Sequence, residues 1–171
     1  MEKARVGYAR QMARKVLSDA KIVELPVDLK ILLEKKGYEY LEVDSFLDSI
    51  DALFLKEDGV FYAAVNAKHH PNRQRFSLAH ELGHILLNHN PSYYNPGVSL
   101  DNPPTSQTHT SAEKMFEQEA NAFAGELLVP LEMLKKEFKK TKDVGELSKT
   151  FFVSSAVMTI AISNHMSQLY K

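Results

Sequence analysis

The alternation of apolar and polar residues divides the chain into a helical start, a short β block and a helical remainder. In residues 2–20, Val6, Ala9, Met12, Ala13, Val16, Leu17 and Ala20 recur at three- and four-residue spacing, which predicts one stripe of an amphipathic helix. Lys3, Arg5, Arg10, Arg14 and Lys15 fall largely off that stripe and read as its solvated face. Pro26 suits the first position of a second helix, with Leu29, Ile31, Leu32 and Leu33 as its apolar side and Gly37 as its end. The period then drops to two. Tyr38 to Val43 alternates, Ala52 to Lys56 is a second β-type run, and Val60 to Asn66 is a third. Asp58-Gly59 between the last two is a strong hairpin dipeptide. The helical period returns with Phe76, Ala79, Leu82, Gly83, Leu86 and Leu87. From Asn88 to about Ser111 the chain is polar and proline-rich, a length that in compact domains belongs to functional or disordered loops. A helix follows from Ser111, another from Leu131 to Phe138, and two short ones over about 143–151 and 154–166. The expected fold class is α+β: mostly helical, with a small three-stranded antiparallel sheet.

Inside the returning helical stretch stands His80-Glu81-Leu82-Gly83-His84. Histidines four apart on a helix share a face, roughly 5–6 Å between Cβ atoms, so both imidazoles reach one metal ion. Glu81 projects beside such a metal, where a carboxylate serves as general base in zinc hydrolases. The alternative is a surface helix with two ordinary histidines, but the helical flanks favour the metal reading. Gly83 is tolerable in a helix interior if something must approach closely there.

Composition narrows the choice of ligands. The chain has no cysteine, so a metal must be held by histidine and carboxylate. A catalytic zinc wants three protein ligands and an open position. The segment Glu117-Gln118-Glu119-Ala120-Asn121-Ala122-Phe123-Ala124 offers carboxylates next to small residues. Glu119 is the leading choice, with Glu117 and Glu113 as competitors. His69, His70, His89 and His109 qualify by chemistry, but His89, five beyond His84, is rotated well off the metal face. The net charge of −1 gives no global attraction to nucleic acid or anionic membrane. No apolar run approaches the roughly 18 residues of a membrane span, and the N-terminal pattern is not that of a signal peptide. The expectation is a soluble cytoplasmic protein. Two units are expected: 1–142, a metallopeptidase domain containing the N-terminal helices and the sheet, and 143–171, a short helical segment packed on it.

The run from Arg73 to His84, followed by Glu119-Ala120-Asn121-Ala122-Phe123-Ala124-Gly125-Glu126-Leu127-Leu128-Val129-Pro130, resembles the ImmA/IrrE family of zinc metallopeptidases. The resemblance is detailed over residues 60–130. It implies a zincin-like, gluzincin-type layout with the sheet beside the metal helix, zinc on His80, His84 and Glu119, and Glu81 as catalytic base. It also implies a role in regulation, by cleavage of a helix-turn-helix repressor in a mobile element, prophage or stress response. The chain departs from thermolysin-like enzymes in carrying Phe123 where an aspartate one turn after the glutamate would orient a histidine. Asn121 is a candidate for that task. The third strand, 60–66, is expected to offer an edge to an extended substrate. An oxyanion donor is sought among Tyr62, Arg73, Tyr93, Tyr94 and His109, with nothing to choose between them.

The segment Leu147 to Val157 resembles a helix-turn-helix phrase, but Ser148 and Phe152 replace its usual alanine and glycine. Its would-be recognition helix, Ser155 to Ser163, has no Arg, Lys, Asn or Gln to read base edges. A packing or docking unit is expected there, not a DNA reader. The rival to the peptidase is a zinc-containing regulatory or antitoxin-like protein acting by association. Glu81 favours the enzyme, since a binder needs no base beside its metal.

Overall fold

The computed structural model describes residues 3–89 and 111–170. Its elements in order are α1 (Val6–Asp19), α2 (Leu29–Lys35), β1 (Tyr38–Val43), β2 (Ala52–Glu57), β3 (Val60–Asn66), α3 (Pro71–Leu86), α4 (Ser111–Leu128), α5 (Leu131–Lys140), α6 (Val144–Phe151) and α7 (Ser155–Leu169). Helix α2 begins three residues after Pro26, because Asp28 caps it and accepts a hydrogen bond from the Ile31 amide. The polar, proline-rich stretch expected as a functional or disordered loop lies almost wholly outside the described residues.

The sheet is mixed, not antiparallel as expected. Its order is β1-β3-β2, with β2 antiparallel and β1 parallel to β3. Asp58 and Gly59 both take positive φ, 49° and 85°, which closes the β2–β3 hairpin as the dipeptide predicts. The segment between β1 and β2 carries the chain to the far side of β3. Phe46 and Ile50 in that segment are buried with Leu53, Leu55 and Ala64 as a small cluster of their own. The Asn66 side chain donates to the Leu47 and Ile50 carbonyls and ties the segment down. β3 is therefore central. With both edges of 60–66 already paired, that strand cannot receive a substrate backbone, and the expectation that it does is withdrawn.

The main core gathers Ala13 and Leu17 of α1, Leu32 and Leu33 of α2, Phe54 of β2, Leu82 of α3, Phe123 and Leu127 of α4, Leu134 of α5, Phe151 of α6 and Met158 of α7. Helix α4 packs on α3 and on α1. Gly83 makes the first contact possible. A Cβ placed there would meet the Phe123 side chain at 3.0–3.2 Å, so the missing methyl is what lets the two helices approach. No helix among the described residues is long and apolar enough to cross a membrane.

Candidate metal centre

Helix α3 starts at Pro71 behind His70, whose side chain caps the Asn72 amide, and runs through Leu86. His80 and His84 therefore stand one turn apart, as their spacing requires. Their Nε2 atoms are 2.9 Å apart. The third group at that point is Glu117 from α4. Its Oε2 lies 3.2 Å from His80 Nε2 and its Oε1 3.2 Å from His84 Nε2. Among the described residues, the donor atoms of His80, His84 and Glu117 converge within 4.8 Å of one another.

Glu119, expected as the third ligand, is not brought to His80 and His84. Two residues along a helix is a rotation of about 200°, so Glu117 and Glu119 project to opposite sides of α4. Glu119 is buried against the segment ahead of α1, where it accepts from the Arg5 amide at 2.7 Å and from Arg5 Nη2 at 2.9 Å. Burial alone would raise its pKa. The hydrogen bonds from Arg5 and His89 outweigh that and lower it to about 2, so Glu119 is a fixed anion. Glu113 lies at the start of α4, outside the side chains described.

The outer nitrogens decide which tautomers the histidines adopt. His80 Nδ1 faces Asn121 Oδ1 at 3.0 Å. An amide oxygen only accepts, so His80 carries its proton on Nδ1 and turns the Nε2 lone pair inward. Asn121 sits one turn after Glu117 and shares its face of α4, which gives it the orienting role considered for it. His84 Nδ1 lies 3.1 Å from His89 Nδ1. His89 Nε2 is 2.9 Å from Glu119 Oε2, again an acceptor only. Burial lowers the pKa of His89, so it is neutral at pH 7 and keeps its one proton on Nε2. His89 Nδ1 must then accept, and His84 Nδ1 must donate. In the neutral pair both inward Nε2 atoms are therefore lone pairs. Two lone pairs 2.9 Å apart beside a carboxylate have no hydrogen between them, so the donor set calls for a shared cation.

The electrostatics of the site point the same way. Burial and the neighbouring His80 lower the pKa of His84 to about 4. For His80, burial is outweighed by Glu117, Glu81 and Asn121, and its pKa rises. Burial and mutual repulsion thus disfavour a second positive charge on the pair. Glu81 lies within electrostatic reach of His80 and has one carboxylate oxygen buried.

His89 is the member that helix periodicity alone does not place here. A continuing helix would carry it off the face, but α3 ends first. Asn88 takes φ 55°, its amide bonds the Ile85 carbonyl, and the His89 amide bonds the His84 carbonyl. This left-handed cap folds His89 back onto His84. The available signal was the Asn after Leu87, a residue tolerant of that conformation. Of the oxyanion donors considered, Arg73 is paired with Asp51 at 2.8 Å and Tyr62 packs on the small cluster. Tyr93, Tyr94 and His109 lie outside the described residues.

A cavity of about 270 Å³ adjoins the His80 side, between α4 and α7, with Phe76, Asn121, Val157 and Ile160 in its lining. A larger one of about 620 Å³ lies by the start of α3, lined by Tyr40, Arg75 and Phe152 and by none of the metal donors.

A peptidase family model described as the IrrE N-terminal-like domain matches residues 63–163. The chain belongs to the ImmA/IrrE family. The match takes in the whole of α3 and α4, and hence every converging donor. Among solved structures, a Mycobacterium tuberculosis transcriptional regulator is similar over 89% of this chain and 45% of its own, at 16% identity and a TM-score of 0.61. That likeness shows a shared fold, and the chain spans just under half of that regulator. No curated protein matches the chain.

Proposed function

We propose that this ImmA/IrrE-family chain is a zinc-dependent endopeptidase, with His80, His84 and Glu117 as metal ligands and Glu81 as the base. The observation that carries the reading is the convergence of the His80 and His84 Nε2 atoms, 2.9 Å apart, on the Glu117 carboxylate at 3.2 Å from each. Two imidazoles and one carboxylate are a donor set typical of catalytic zinc, which leaves a fourth position open. When bound, the ion would supply Lewis acidity toward the scissile carbonyl and acidify a water. Glu81 would take a proton from the attacking water and hand it to the departing amine. Asn121 and His89 keep the two imidazoles oriented throughout.

The proposed substrate is a helix-turn-helix repressor, cut to relieve repression. A role in regulation by association alone is the second reading. The fold shared with a transcriptional regulator favours it, and the presence of Glu81 speaks against it.

Co-expression with a repressor encoded beside the gene separates the two. Wild type cleaves it, and Glu81→Gln retains zinc but loses cleavage by about 100-fold or more, the usual scale for a positioned base. His80→Ala loses the zinc as well. Undiminished cleavage by Glu81→Gln would sink the peptidase assignment.

A further inference from the structure

A second line of polar groups leaves the metal centre on the far side of His84. His84 Nδ1 meets His89 Nδ1 at 3.1 Å, and His89 Nε2 meets Glu119 Oε2 at 2.9 Å. Glu119 Oε1 accepts from the Arg5 amide at 2.7 Å and from Arg5 Nε at 3.1 Å, and Oε2 accepts from Arg5 Nη2 at 2.9 Å. His89 and Glu119 are buried, and His89 is stacked on the Phe116 ring at 4.6 Å. Only the Arg5 end reaches water, with 56% of its side chain exposed.

The line has one workable direction. A ligating Nε2 needs its lone pair, so a neutral His84 carries its proton on Nδ1 and donates to His89. His89 then accepts at Nδ1 and donates from Nε2 to Glu119, which accepts only. Arg5 closes the line with N–H donors. Reversing the first link would put a proton on the His84 nitrogen that faces His80 and Glu117, where the ion belongs. Outer partners of this kind fix the tautomer and orientation of a metal-binding histidine.

We propose that Arg5, Glu119 and His89 are positioning residues that hold His84 in its metal-competent tautomer, so that the segment ahead of α1 sets how tightly the centre holds its ion. This rests on the reading of His80, His84 and Glu117 as ligands.

The test measures zinc affinity by chelator competition and the imidazole ¹⁵N shifts of the zinc-free protein. His89→Leu removes both links. It weakens zinc binding on the order of 10- to 100-fold and frees His84 to populate both tautomers. His89→Gln, which keeps an acceptor and a donor, restores most of the affinity. Arg5→Ala, at the exposed end, weakens zinc by a smaller factor of the same sign, since its backbone amide still bonds Glu119. Wild-type affinity and an unchanged His84 tautomer in both His89→Leu and Arg5→Ala overturn the positioning role, even where thermal stability falls. A wild-type protein that takes up no zinc overturns the metal-centre reading itself.

Discussion

At the scale of single residues, the helix repeat puts His80 and His84 on one face of α3 without reference to the rest of the fold. Glu117 and Glu119 could not be separated in that way. Both are acids in one helical run, and only the phase of α4 against α3 decides which faces the histidines. Gly83 bears on that phase. A methyl at position 83 meets Phe123, fully buried, at 3.0–3.2 Å, and Phe123 has little room to retreat. The overpacking cost, about 1–3 kcal/mol, exceeds the roughly 1 kcal/mol of helix propensity that alanine gains over glycine. Gly83→Ala is therefore expected to lower the melting temperature of the zinc-free protein. It should also weaken zinc binding, because Glu117 moves with α4. A melting temperature equal to or above wild type would show that Phe123 yields freely.

At the scale of elements, helix periods and the Asp-Gly hairpin were readable because they depend on neighbours in sequence. The direction of β1 was not. It follows from where the 44–51 segment crosses, and that depends on burying Phe46 and Ile50 against the sheet. The end of α3 belongs to the same class of local feature with a distant effect. Asn88 in the left-handed conformation turns the chain so that His89 comes back to His84. A β-branched residue resists that conformation by about 1–2 kcal/mol, whereas glycine adopts it freely. Asn88→Val is expected to destabilise the protein by about that amount and to weaken zinc binding through loss of the His89 contact. Asn88→Gly should keep both near wild type. Equal zinc affinity in the two variants, measured by chelator competition, would show that the cap does not govern His89.

At the scale of the whole molecule, α4 joins the parts through a second buried acid, seven residues beyond Glu119. The basic residues of α1 and of the segment ahead of it are not simply solvated, as their pattern suggested, since Arg5 and Arg14 reach back to these two acids. Glu126 accepts from Arg14 Nε at 2.7 Å and from the Leu131 amide at 3.1 Å, and its other oxygen lies 3.2 Å from His165 Nε2. One carboxylate thus ties α1, the start of α5 and α7 to α4. Burial by itself would raise its pKa. The bonds from His165, Arg14 and Leu131 prevail and lower it below the ordinary 4.5. A carboxylate lowered in this way binds protons less readily folded than unfolded. Its stabilisation is fully present above about pH 4.5 and is lost as the pH falls through the depressed value. Glu126→Gln removes the charge but keeps the shape, and it leaves the buried His165 without its anionic partner. A loss of about 1–3 kcal/mol at neutral pH is expected. The decisive readout is the slope: denaturant midpoints of the variant should fall less steeply than those of wild type below pH 4.5. Parallel acid limbs would place the acid-sensitive element elsewhere. Glu126 bonds Arg14, Leu131 and His165 and none of the three donors, so zinc affinity at neutral pH is expected to stay near wild type, which separates this tie from the Arg5–Glu119–His89 line.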